Sequence, residues 1–270
     1  MSAYQKTIVV FVAVLLGFTG CHAGMEGVTD MRGRASEIFA EPKLRALAEA
    51  AETGDVRNMA RLLKQGVDVN ATGKFGATPL WWSIRTLNKT GFAYLLAQGA
   101  QPNPPVETIT VMEMAGGYED SSFLEAVLPY KPDMGRVGGK KNHTALETAI
   151  IYRRKRNLEL LIKAGADLNL DDMGLTPMER AAGGFASYDY VYLMLQAGAD
   201  PTLVFPVTSG SRGKNRLTMT IKNCLIDPDS EQYEWRERVI RFLKNRGIEA
   251  ERPAQDKEGV RTKSLPADLR

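Results

Sequence analysis

Few side chains in this 270-residue chain have the type and company that catalysis needs. The two cysteines, Cys21 and Cys224, are distant in sequence, and the two histidines, His22 and His143, are too few for a rich metal site. The run Ser209-Gly210-Ser211-Arg212-Gly213-Lys214 has the composition of a phosphate cradle. It lacks the G-x-x-x-x-G-K spacing and a preceding strand, and reads as a flexible loop. Asp171-Asp172 and Asp227-Pro228-Asp229 lack the alternating ligands of a calcium loop and read as turns. No nucleophile elbow, H-E-x-x-H or C-x-x-C pattern occurs, so the chain is expected to be no enzyme and to need no metal or cofactor. Cys224 reads as a small core residue in a helix, and His143 as the neighbour of a helix cap. A net charge of +3 is too small for a nucleic-acid footprint.

The residues that do recur are those that anchor protein interfaces. Trp82, Tyr118 and Tyr152 are flanked by Arg85, Arg180 and Phe185, with Lys74 and Phe75 in a nearby loop. Trp, Tyr and Arg are the types most enriched among interface hot spots. Their use depends on elements that would bring them to one face, and an internal repeat supplies those elements. Gln65-Gly66-Val67-Asp68-Val69-Asn70 returns at Gln98–Asn103, at Ala164–Asn169 and at Ala197–Pro201. The glycines at 66, 99, 165 and 198 fit a period of 33 residues with one hidden unit, whose degenerate marker is Lys131-Pro132-Asp133. Upstream lies a second marker, Gly76-Ala77-Thr78-Pro79-Leu80, echoed by Gly174-Leu175-Thr176-Pro177-Met178 and His143-Thr144-Ala145-Leu146.

Each unit carries the chemistry of a helix–turn–helix. Thr78 and Thr176 can cap helix N-termini, and the prolines after them sit in the first turn, where a missing N–H costs nothing. Leu62-Leu63, Leu95-Leu96, Leu160-Leu161-Ile162 and Leu193-Met194-Leu195 make the apolar stripe of each second helix. Gly66, Gly99, Gly165 and Gly198 suit the left-handed residue that ends it.

These residues resemble the ankyrin family, whose unit contains T-P-L-H-x-A-A and ends L-L-x-x-G-A-D-x-N. The resemblance is good over residues 44–201 and weaker over 202–250. It implies an all-α, ankyrin-like helical repeat solenoid of about five to six helix-turn-helix units. The expected units are 44–70, 76–103, 110–137, 143–170, 174–201 and 217–250. Thr218 would start the sixth unit and Gly247 would end it. Insertions are expected within 202–217 and near 226–233, and the first unit serves as a cap without Thr-Pro. Residues 22–43 read as a tether with a helical turn near Ser36–Ala40, and the charged segment 251–270 reads as a disordered tail.

The family resemblance also implies that the partner surface is the concave face, made by first helices and loops. Trp82, Met114, Thr148 and Arg180 are the positions expected to point there, with Thr86, Tyr118, Tyr152 and Gly184 four residues on. Arg85 and Phe185 flank the row, and Lys74, Phe75, Lys140 and Lys141 lie at loop tips. Large residues at helical spacing equally suit packing between units, the reading adopted for Trp81. The run Arg153-Arg154-Lys155-Arg156 falls in a turn and reads as a solvated surface or as a contact for an acidic partner or anionic headgroups.

The N-terminus reads as an address. Lys6 precedes an apolar run over 7–18, then small residues and Cys21, as in a secretory signal. Phe18-Thr19-Gly20-Cys21 resembles a bacterial lipoprotein box, in which the cysteine becomes the acylated N-terminus. Phe18 departs from the usual aliphatic residue. The alternatives are cleavage near Ala23 with Cys21 left free, or an uncleaved anchor. His22, where an aspartate would signal inner-membrane retention, implies an outer-membrane lipoprotein facing the periplasm. Signal and repeats together imply a membrane-tethered module that binds a protein. Some bacterial immunity lipoproteins built of ankyrin-like repeats block secreted antibacterial toxins such as phospholipases. The alternative is a structural or assembly adaptor for an envelope protein.

Overall fold

The computed structural model describes residues 33–103, 109–135, 143–170, 175–203 and 216–253. The expected signal peptide, Cys21, the glycine-rich run 209–214, Asp171-Asp172, Lys140, Lys141 and nearly all of the C-terminal tail lie outside them. Among the described residues every regular element is a helix. They are α1 (Ala35–Ile38), α2 (Pro42–Thr53), α3 (Val56–Lys64), α4 (Pro79–Arg85), α5 (Lys89–Ala97), α6 (Val111–Gly117) and α7 (Ser122–Val127). There follow α8 (Ala145–Ile151), α9 (Lys155–Lys163), α10 (Pro177–Gly184), α11 (Tyr188–Gln196), α12 (Arg216–Asn223) and α13 (Glu231–Lys244).

The helices stack in two rows, as the repeat requires. First helices α2, α4, α6, α8, α10 and α12 each pack on the next. Second helices α3, α5, α7, α9, α11 and α13 do the same behind them. One hydrophobic cluster runs through the whole stack, from Ala35 to Ala250. The solenoid of six units is thus present.

The threonine signal decides where first helices begin. Thr78 accepts a hydrogen bond from the Trp81 amide, and Thr110, Thr144 and Thr176 each accept from a glutamate amide three residues on. In those three units the glutamate carboxylate (Glu113, Glu147 or Glu179) accepts the threonine amide in return, a reciprocal capping box. Unit one achieves the same end with Glu41, whose carboxylate accepts the Lys43 and Leu44 amides ahead of Pro42.

The recurring glycine ends the second helices as expected. Gly66, Gly99, Gly165 and Gly198 have φ of 88°, 89°, 85° and 96°, the left-handed region that costs glycine least. The turn inside each pair makes a similar demand but does not always receive glycine. Gly54 (φ 74°) meets it freely, whereas Leu87 (61°), Arg153 (58°) and Ala186 (48°) meet it at a cost of about 1 kcal/mol each. Elsewhere glycine is needed for closeness: a Cβ on Gly116 would run into the Ala145 carbonyl of the next unit.

Polar bonds tie each unit to its neighbour. The Asn70 side chain accepts the Gln101 amide at 2.7 Å and donates to the Gly99 carbonyl at 3.2 Å. Asn103 brackets Asp133 in the same way, and Asn169 accepts the Asp200 amide at 2.8 Å. The asparagine that closes the sequence motif therefore staples successive loops. Asn157, fully buried on α9, donates to the carbonyls of Ala115, Gly116 and Tyr118 at the end of α6. Gln232 on α13 accepts the Tyr188 amide at 2.7 Å and so caps α11, whose own Ser187 gives no side-chain cap.

Three expectations are corrected. The tether does not extend to 43, because Ala35, Ile38 and Phe39 are buried in the core as a strap across the first units. Thr218 does not begin unit six; it lies inside α12, which starts at Arg216. Cys224 follows α12 instead of lying in it, as a half-buried residue whose backbone carbonyl accepts from Arg236. Gly247 (φ 73°) does end the last unit, and Asp227 is a turn residue whose carboxylate accepts the Asp229 amide.

The stapling predicts an outsized role for Glu147, which is 1% exposed, closes the α8 capping box and accepts from Arg180 of the next unit at 3.2 Å. Glu147→Ala should lower unfolding free energy by about 2–3 kcal/mol, the sum of a lost cap and a lost charge-assisted bond. Urea denaturation followed by circular dichroism measures this directly.

Candidate functional site

The expected row splits into two layers. Its early positions point into the stack. Trp82 is only 2% exposed, and Met114 and Thr148 are buried likewise. The Trp82 indole donates to Glu52 Oε2 at 2.8 Å, meets Phe39 edge-on at 5.8 Å between ring centres, and lies under the Arg85 guanidinium at 4.6 Å. Trp82 is therefore not a free rung for a partner. The strap carrying Phe39 closes over it, and no periodicity in residues 33–41 signalled that. Trp81 is packing, as expected, and donates its indole N–H to the Ile109 carbonyl at 2.8 Å. Arg180 is also corrected as a free anchor, since its side chain turns to Glu147 between units.

The later positions reach the face. Thr86, Tyr118, Tyr152 and Phe185 are the residues that follow α4, α6, α8 and α10, and all four are half-buried. The two tyrosines lean backwards along the stack. The Tyr118 hydroxyl lies 3.4 Å from the Ile84 carbonyl of unit two, and its ring packs beside Phe123. The Tyr152 ring lies over Gly117 of unit three, where a Cβ would come within 3.1 Å of it. A row of three aromatic edges thus crosses units three to five. Burial pushes the Tyr118 hydroxyl up to about 12, although the Arg85 charge works in the opposite direction.

Lys74 and Phe75 sit at an exposed loop tip, with Phe75 48% exposed and itself left-handed at φ 60°. The cation run is less free than the sequence implies. Arg154 donates to the Gly117 carbonyl at 2.9 Å, Lys155 pairs with Asp189 at 3.6 Å and Arg156 with Glu125 at 3.2 Å. Three of the four cations thereby bridge units three, four and five. Exposed pairs contribute little stability, about 0–1 kcal/mol each, but they set the charge a partner would meet.

Beside Arg85 the strap and two first helices enclose a cleft of about 460 Å³. Arg34, Glu49, Glu52, Trp82, Arg85 and Thr86 line it, together with Gly33, Ala35 and Ser36. Arg34, Glu49 and Glu52 were missed in the sequence because their role depends on the strap folding back. Desolvation pulls the Arg85 guanidinium below its ordinary value, while the nearby Glu52 and Tyr118 oppose that shift. Among the described residues no three His, Cys, Asp or Glu side chains converge as a metal group, and no helix is long and apolar enough to cross a membrane.

Two outcomes follow from the burial. Trp82→Ala should cost about 3–5 kcal/mol of stability, as truncation of a core aromatic does, and should appear first as a lowered thermal midpoint. Tyr118 should resist ionisation until about pH 12 in a spectrophotometric titration. Because its folded pKa lies above the ordinary 10.0, its contribution is complete below pH 10 and is lost as pH rises towards 12. Tyr118→Phe should flatten that alkaline loss of stability.

No protein-family model matches the chain. Over 144 residues, 52% of this chain, it is 33% identical to the mitochondrial disaggregase of Bos taurus. That match spans only 21% of the disaggregase's own length. The ankyrin repeat protein YahD of Escherichia coli is 28% identical over 163 residues, which cover 57% of this chain and 80% of YahD. Among solved structures, the ankyrin repeat domain of Bcl-3 superposes with a TM-score of 0.58 at 21% identity, covering 73% of this chain and 85% of that one. The chain is thus similar to ankyrin-repeat proteins in sequence and in fold, and its architecture is a helical repeat solenoid.

Proposed function

We propose that the chain is a membrane-tethered protein-binding module, and that its partner seats along the row Thr86, Tyr118, Tyr152 and Phe185. The observation that carries this reading is the row itself: aromatic edges held at one level on successive units by the stapled stack. A preformed surface loses little freedom on binding, which favours tight capture. Phe75 and Lys74 offer a separate exposed loop tip ahead of α4, and Arg85 adds a charge beside the row.

The finer reading places the module in the periplasm, held at the outer membrane by acyl chains on Cys21. Support for that comes from the sequence of residues 1–21 alone. Each buried CH₂ of such a chain contributes about 0.8 kcal/mol of membrane affinity. In this setting the partner is a secreted antibacterial toxin and the module is its immunity protein, plugging the toxin with a rigid face.

The test uses the full chain expressed with its signal. Tyr152→Ala and Phe185→Ala should each weaken capture of the partner by about tenfold or more while helix content is retained. Unchanged affinity in both variants would remove the row as the binding face. Cys21→Ser should abolish lipid labelling and release the chain from the membrane fraction. Continued membrane retention of that variant would contradict the anchor. Protection of sensitive cells against a co-expressed toxin separates immunity from an assembly role.

A further inference from the structure

We propose that Arg85 is the receptor for one acidic side chain of the protein partner, taken up in the cleft beside the strap. The inference rests on the protein-binding reading above and adds the chemistry of one contact. Its basis is an arginine with fixed orientation and unused hydrogen-bonding capacity.

The guanidinium is held in place from below by Trp82, which is fixed in turn by its bond to Glu52 and by Phe39. Stacking in this way leaves the planar N–H edge of an arginine free to grip a carboxylate with two parallel bonds. Arg85 makes no hydrogen bond: Nε is buried beyond a ligand's reach, which leaves the terminal N–H groups to grip one. Glu52 attracts Arg85 through space, but it spends Oε2 on the indole and forms no ion pair with Arg85. Elsewhere in the solenoid the comparable cations Arg154, Lys155, Arg156 and Arg180 are used between units. Arg85 differs from them: it lines the cleft and makes no ion pair with a neighbouring unit, so its charge is left for a bound carboxylate.

The rest of the cleft narrows the occupant. Arg34 lines it as a second cation, while Glu49 and Glu52 line it as anions. A wall of mixed sign disfavours a polyanion such as a nucleic acid or a multiply charged phosphate. A single carboxylate on a peptide fits it, because its one charge meets the stacked guanidinium while neighbouring peptide N–H groups can face Glu49. The volume of about 460 Å³ accommodates one side chain with part of its backbone.

The experiment follows the Arg85 Nε–H resonance of the ¹⁵N-labelled full chain, assigned by its absence in Arg85→Gln. The probes are acetyl-Gly-Glu-Gly-amide, its glutaminyl counterpart and inorganic phosphate. A saturable shift with the glutamyl peptide alone supports the inference, as does an affinity about tenfold weaker in Arg85→Lys, which keeps the charge but not the planar fork. An unmoved signal, an equal response to the glutaminyl peptide, a stronger response to phosphate, or unweakened binding by Arg85→Lys would each overturn it. The Lys variant covers the case in which Arg85→Gln fails to fold. Capture of the partner separates the two readings. If Arg85→Lys still captures it as tightly as the unsubstituted chain, the module binds protein but not through this arginine. If the unsubstituted chain captures nothing, the binding reading itself fails.

Discussion

Helices of six to nine residues, the range spanned by α4 to α11, do not persist alone in water. Here each is held by the unit on either side, and the polar contacts show it more sharply than the apolar ones. Asn70, Asn103 and Asn169 bind the following loop, Asn157 satisfies the end of α6, and Gln232 caps α11 from the last unit. Buried polar groups gain most when every partner is present. A unit removed from its neighbours would therefore lose caps as well as apolar cover, and the array behaves as one body built of nearest-neighbour links.

That constraint also decides what faces outward. First-helix positions near Thr78, Thr110, Thr144 and Thr176 must meet the next unit, so Trp81, Glu113, Glu147 and Glu179 are committed to capping or cross-links. Only the last turn of each first helix escapes the stack, which is why Tyr118, Tyr152 and Phe185 emerge there as partial edges. The same economy consumes Arg154, Lys155, Arg156 and Arg180 between units, and leaves Arg85 with an unsatisfied edge.

Much of this was legible in the residues. The glycines at 33-residue intervals and the capping threonines mark helix ends through local backbone chemistry, which neighbours do not alter. The depth of Trp82 was not legible, because it depends on the Phe39 strap, a long-range contact that leaves no periodic trace. The cation run misled for a related reason: charges in a turn look solvated until the acidic residues Glu125 and Asp189 of other units are placed beside them. At unit six the lengthened 224–230 turn and the start of α12 at Arg216 broke the spacing on which the Thr218 reading relied.

The central claim is that the partner lies along the ends of the first helices. Hydrogen exchange of the full chain, alone and with its partner bound, tests it most directly. The account predicts new protection of amides at 85–87, 117–119, 152–154 and 184–186, with the outer surfaces of α3, α5 and α9 unchanged. Protection confined to those second helices, with the first-helix ends exchanging as in the free chain, would contradict it.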